Sequence, residues 1–217
     1  NNNKQTMRTK ALFLAAAFGM AGVATSMAQV YSVNVVGYVN TALVPGFSLV
    51  SNPLDAADNN VSSLFPAVDG MTVYKFVGGN YEIATYLDIF GEWEGDFELN
   101  PGEGAFVFNP TTEEVTVTFV GEIVDGTKTN PIAAGFSIVS SIVPQSGALV
   151  SALGFPQADG DQVFKFNTGS QSYEIYSYLE IFEAWDPSEP VIGVGEAFFV
   201  NKPADVTWTR EFSVSGQ

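Results

Sequence analysis

Apolar and polar positions alternate with a period of two along most of the chain, the spacing that sends successive side chains to opposite faces of a β-strand. Tyr31 to Val39 alternates polar and β-branched residues. Phe47–Val50, Thr72–Val77, Tyr81–Tyr86, Gly104–Phe108 and Glu114–Val120 follow the same rule and are predicted strands. Glycine and proline separate them at Pro45-Gly46, Asp69-Gly70, Gly78-Gly79, Pro101-Gly102 and Pro110. One helical turn is predicted in Asn60–Pro66, capped by Asn60 and ended by the proline. Beyond residue 28 no stretch keeps a helical period over three turns. The pattern therefore predicts an all-β protein of short strands, each unit a β-sandwich or small barrel.

The pattern also occurs twice. Gly46-Phe47-Ser48-Leu49-Val50-Ser51 returns as Gly135-Phe136-Ser137-Ile138-Val139-Ser140. Val73-Tyr74-Lys75-Phe76 returns as Val163-Phe164-Lys165-Phe166, and Tyr81-Glu82-Ile83 as Tyr173-Glu174-Ile175. Tyr86-Leu87-Asp88-Ile89-Phe90 and Trp93 match Tyr178-Leu179-Glu180-Ile181-Phe182 and Trp185. Ala105-Phe106 aligns on Ala197-Phe198. An internal duplication follows, with β-sandwich-like units at 29–125 and 126–217 and a boundary near Asp125–Pro131, where turn-forming residues cluster. If Phe76 faces Tyr81 and Phe166 faces Tyr173, Lys75 lies opposite Glu82 and Lys165 opposite Glu174.

Residues 1–28 stand outside this pattern. Met7-Arg8-Thr9-Lys10 is a basic start, Ala11–Ala24 an uncharged apolar run, and Ser26-Met27-Ala28 a small-residue cleavage site. The run is shorter than the roughly 20 residues that span a bilayer. A signal peptide cleaved before Gln29 is expected, with Met7 as initiator and the preceding residues upstream of it. The mature chain is then secreted, extracellular or at the cell surface, with no transmembrane segment.

Composition narrows the chemistry. There is no cysteine and no histidine, so disulfides, thiolate or imidazole metal sites and Ser-His-Asp triads are excluded. Only Lys75, Lys128, Lys165, Lys202 and Arg210 remain after the leader, against 24 acidic residues in a chain of net charge −16. Nucleic acid is not an expected partner of such a surface.

The order of these signatures resembles a module of secreted and surface proteins of bacteria and archaea. That module opens with a Gly-aromatic-Ser-Leu strand ending in Asn-Pro, continues with a Val-Tyr-Lys-aromatic hairpin and closes with Leu-x-Pro-Gly-Glu-Gly before aromatics. Gly46–Leu54 and Leu99–Phe106 carry the likeness here, which covers most of residues 30–212. The second unit departs from it at Ser141-Ile142-Val143 and Gly193-Val194-Gly195-Glu196. The resemblance implies a β-rich extracellular building block, and it brings no catalytic residues.

Two constellations carry candidate chemistry. Glu92, Glu94, Asp96 and Glu98 stand at alternate positions, a spacing like that of a calcium loop, although Phe97 holds the place where such a loop needs glycine. Calcium is the one cofactor this leaves open. Trp93, Trp185, Tyr86 and Tyr178 are candidate ligand-binding rings, as platforms for a sugar or for another protein. Paired carboxylates are too common in so acidic a chain to single out a hydrolase. The expected function is that of a non-enzymatic structural or adhesive protein of the cell surface or extracellular matrix. A carbohydrate-binding module pair is the alternative, and the expected partners are polysaccharides or other surface proteins.

Overall fold

The computed structural model describes residues 35–213, which are β-rich and contain almost no helix. The expected signal peptide and its expected cleavage site before Gln29 lie outside the described residues. Among those described, no helix is long and apolar enough to cross a membrane.

The first half runs β1 (Val36–Leu43), β2 (Gly46–Ser51), α1 (Val61–Leu64), β3 (Thr72–Val77), β4 (Asn80–Leu87), β5 (Glu92–Glu94), β6 (Gly104–Asn109) and β7 (Val115–Glu122). Five of these strands form an antiparallel sheet in the order β2-β6-β3-β4-β5, and β1 pairs with β7. The second half runs β8 (Gly126–Ile132), β9 (Gly135–Val139), β10 (Gly147–Ala148), β11 (Gln162–Asn167), β12 (Ser172–Leu179), β13 (Ala184–Asp186), β14 (Val191–Ile192), β15 (Phe198–Lys202) and β16 (Val206–Phe212). Its five-stranded sheet has the order β9-β15-β11-β12-β13, and β8 pairs with β16. Most of the turn-rich segment Asp125–Pro131, expected between strands as the boundary of the units, is itself strand β8. Pro131 is tolerated there because β8 is paired on one side only.

Each five-stranded sheet buries one face against its own pair of strands. Val50, Val73, Ala84, Ala105 and Val107 meet Leu43, Val117 and Phe119, with α1 closing one end. In the second half Val139, Val163, Phe198 and Val200 meet Ile132 and Trp208. Burying each large aliphatic side chain contributes about 1.5–3 kcal/mol. Asn60 stands at the expected N-cap of α1, but its side chain donates to Asp58 at 2.8 Å and makes no capping bond. Asp96 performs that task instead, accepting from the Ser62 amide at 3.1 Å and the Ser62 hydroxyl at 2.6 Å.

The other faces of the two sheets meet each other. Leu49 and Phe106 pack on Ile138, Ala197 and Phe199, with Tyr74, Phe76, Phe164 and Phe166 around them. The contacts are reciprocal, the signature of a two-fold junction. Ser51 N–H donates to Gly195 C=O, and Ser140 N–H donates to Gly102 C=O, both at 2.9 Å. Single bridges join Val50 to Glu196 and Val139 to Glu103. The Ser51 and Ser140 hydroxyls bond each other at 2.9 Å. Phe106 meets Phe166 edge-on at 5.2 Å, as Phe199 meets Phe76 at 5.6 Å.

Strand register corrects one alignment. Leu49 pairs with Phe106, and Ile138 pairs with Phe199, so the counterpart of Phe106 is Phe199, not Phe198. A one-residue slip exchanges the faces of a strand. Phe198 accordingly lies in the second core, and Phe199 at the junction. The hairpin registers are as expected, with Lys75 opposite Glu82 and Lys165 opposite Glu174.

Gly104 sits on the junction face, close against the other sheet. A Cβ there would lie 2.5 Å from both the Ala197 Cβ and the Ile138 Cγ2. Gly104→Val is expected to cost about 1–3 kcal/mol by overpacking, read from urea unfolding. An unchanged midpoint would show that this contact is not close-packed in solution.

Candidate functional site

The junction is held at its rim by the Lys and Glu of the two signature motifs. Glu103 Oε2 accepts the Asn100 amide at 2.7 Å, and Glu196 Oε2 accepts the Gly193 amide at 2.8 Å, each carboxylate closing the turn before its own strand. Their other oxygens take Lys75 at 2.8 Å and Lys165 at 3.2 Å. The lysines thus pair with Glu103 and Glu196, although Glu82 and Glu174 lie across the ladder from them. Such partly exposed pairs contribute about 1 kcal/mol or less; their effect is to fix the loops that cross to the other half.

Two clefts flank this junction, both walled by aromatic rings. Phe47, Tyr74, Tyr81, Ile83, Phe106 and Phe166 line the first, with Gln171 at its mouth. Phe136, Phe164, Tyr173, Ile175, Phe199 and Phe76 line the second, which Tyr81 also reaches. Position by position, the strands supply corresponding residues to both. The two-sided apolar character of β3, β6, β11 and β15 has this cause: one face feeds a core, and the other the junction and its clefts. Neither lining contains a carboxylate or an amine. Tyr81 and Tyr173 stand at the rims, 47% and 44% exposed. Partial burial pushes both phenols above their ordinary pKa, and for Tyr173 the neighbouring Tyr81 adds to the shift. Both rings stay neutral at physiological pH, each with one hydroxyl donor.

The clefts differ at their mouths. The hairpin β3–β4 turns at Gly78-Gly79, both with positive φ, while β11–β12 turns through Thr168–Gln171 and is two residues longer. The extra length carries Gln171 to the edge of β2. Its Oε1 accepts the Phe47 amide at 2.9 Å, and its Nε2 donates to the Phe47 carbonyl at 3.0 Å.

A second apolar feature is repeated at the far end of each sheet. Ile89 and Phe90, like Ile181 and Phe182, are between 68% and 85% exposed on tight turns. Asp69 accepts the Asp88 amide at 2.9 Å and Asp159 the Glu180 amide at 3.0 Å, so both tips are anchored the same way.

The rings singled out from sequence lie elsewhere. Tyr178 and Trp185 are 8% exposed and belong to the second core, where the indole donates to Gln157 at 3.0 Å. Trp93 is half-buried against the first core, and Tyr86 meets it at 5.8 Å. On β5 and β13 each tryptophan stands between outward residues, Glu92 and Glu94 or Ala184 and Asp186, so the strand alternation turns it inward. That Glu-Trp-Glu alternation was the available signal. Tyr178 and Trp185 are thus buried, while Tyr86 and Trp93 are each partly exposed.

The candidate calcium ligands do not converge either. Glu92 and Glu94 point to solvent on β5, Asp96 holds α1, and Glu98 accepts the Asn100 side chain at 3.1 Å. Among the described residues, no three acidic side chains gather as a metal site requires. No protein-family model, curated protein or solved structure matches this chain.

Proposed function

We propose that this chain is a non-enzymatic, exported structural or adhesive protein of the cell surface or extracellular matrix, acting by binding other macromolecules. It is built from one β-sandwich-like unit written twice, with the two copies joined face to face. The identical strand orders of the five-stranded sheets and their reciprocal contacts support the duplication. The carrying observation for function is the pair of aromatic clefts, presented outward and lined without carboxylate or amine. A site of this composition offers apolar area and a few hydrogen bonds, the features of recognition surfaces. It offers no tuned acid, base or nucleophile. The exposed apolar tips at Ile89-Phe90 and Ile181-Phe182 fit the same reading.

The exposed rims at Tyr81 and Tyr173 also favour a second reading, carbohydrate binding. A pull-down with the purified chain separates the two. Retention on intact envelopes of the producing cells, lost after protease treatment of those envelopes and weakened by Tyr81→Ala with Tyr173→Ala, is expected. Retention on protease-treated envelopes or on insoluble polysaccharide would favour the carbohydrate reading. Turnover of a glycosidic or ester substrate that Glu82→Gln or Glu174→Gln abolishes would overturn both.

A further inference from the structure

The two clefts are alike in their walls and unlike in their mouths, and the difference points to a ligand. In the first, the Gln171 carboxamide spans the amide and carbonyl of Phe47, making the pair of bonds that the N–H and C=O of one residue on a neighbouring strand would make. Phe136 holds the same place in the second half, opposite Asn201 on β15 as Phe47 is opposite Phe108 on β6. Strand alternation turns its N–H and C=O away from β15. Ser140, four residues along the same edge, confirms the direction, because its amide bonds outward to Gly102. Among the described residues nothing bonds to the Phe136 main chain. A Cβ on Gly46 would lie 2.9 Å from Gln171 Oε1, whereas one on Gly135 would meet nothing within 4 Å. The β3–β4 hairpin, with its two-residue turn, supplies no equivalent of Gln171.

We propose that the cleft beneath Phe136 is the open member of the pair and takes an extended peptide segment of a partner protein. One residue of that segment accepts the Phe136 N–H with its C=O and donates its own N–H to the Phe136 C=O, and an adjacent apolar side chain enters between Phe164, Tyr173 and Phe76. Gln171 is the internal stand-in for such a segment at the other cleft. The open edge is short, bounded by the Ala134 amide, which Asp205 takes at 2.8 Å, and by the Val139–Glu103 bridge. The pair of main-chain bonds therefore fixes position, and the apolar cleft supplies the affinity, the division of labour seen in strand addition. A main-chain donor and acceptor held at ladder spacing beside apolar walls match a peptide better than a sugar. The net charge of −16 disfavours acidic segments.

This inference rests on the binding reading above, and its test can fail separately. A displayed library of random linear heptapeptides is selected on the purified full chain, and the enriched peptide is titrated by calorimetry. One peptide per chain is expected. Gln171→Ala should open the first cleft and raise the stoichiometry to two. Phe136→Pro removes an outward N–H that no internal bond uses, and should weaken the single site about tenfold or more. Replacing Gly78-Gly79 by Thr-Gly-Ser-Gln should close the second cleft and abolish binding without lowering the melting temperature.

Failure to enrich any peptide would overturn the proposal. So would a stoichiometry that Gln171→Ala leaves unchanged, or binding that is indifferent to both Phe136→Pro and the loop graft. Chitopentaose, whose acetamido groups offer the same donor and acceptor, serves as the competing probe; its binding at Phe136 in place of peptide would also overturn it. Envelope binding that persists in the Phe136→Pro and loop-grafted chains would sink this inference and leave the broader reading intact. Peptide binding as described without envelope retention would do the reverse.

Discussion

Removing either partner of the Asp161–Lys202 ion pair is expected to cost about 3–5 kcal/mol, because the remaining charge is left buried and unmatched. Neither side chain is more than 1% exposed. Lys202 Nζ also donates to the Pro156 carbonyl at 2.7 Å and lies 5.1 Å from the centre of the Phe155 ring. Asp161 accepts the Ala158 amide at 2.8 Å through Oδ2, while its Oδ1 has no partner among the described residues. An ion pair so enclosed has already lost its hydration, so its net contribution is small even though its rupture is costly. Asp161→Ala and Lys202→Ala should each lower the thermal midpoint by about 6–20 °C for a domain of this size. Asp161→Leu combined with Lys202→Met should recover most of that loss. Urea unfolding of wild type and the three variants measures these differences. Single variants within 1 kcal/mol of wild type would show that water reaches the pair.

Trp208→Ala is expected to be about as damaging, at about 3–5 kcal/mol. The ring is fully buried, edge-on to Phe155 at 5.2 Å and tilted against Phe198 at 6.4 Å. Its indole N–H donates to the Leu153 carbonyl at 2.9 Å. Alanine would leave both a cavity and an orphaned carbonyl. Trp208→Phe retains most of the packing and loses the hydrogen bond, so it should cost about 1–3 kcal/mol. The gap between the two variants, read from unfolding midpoints, separates packing from hydrogen bonding. Equal losses would place the whole effect in the Leu153 bond.

Strand periodicity made most of the fold legible. Thr72–Val77 is a strand with the expected bounds, and both lysine hairpins have the expected register, because a period of two binds face, register and loop parity together. Gly126–Pro131 was unreadable because turn-rich composition outweighed its pairing with β16, a partner far away in sequence. The Phe106 alignment failed because the shared Ala-Phe pair guided it, although Ala105 lies opposite Val50 and Ala197 precedes β15. Aligning Glu103 with Glu196, the residues that close the turns, gives the register found. The candidate site was the least legible part. A strand apolar on both faces declares that each face is covered or used, and cannot say by what; the junction and its clefts needed both halves in place. The acidic run was visible, but its side chains had local tasks, such as Asp96 on Ser62, that no spacing rule announces.

Ser51 and Ser140 touch each other where the two halves meet. At such a point two identical copies would each have to present a group complementary to itself, and a hydroxyl satisfies this by donating on one side and accepting on the other. Away from it, a single polypeptide is free of that constraint. Asn109 and Lys202 occupy corresponding places with different partners, and only one hairpin carries a glutamine to its neighbour's edge. Two separate copies would have to close both clefts or neither, and would part on dilution. A covalent link holds the second half at an effective concentration on the order of millimolar. The ratio of closed to open clefts is therefore encoded in the gene, one to one, and is independent of how much protein is present.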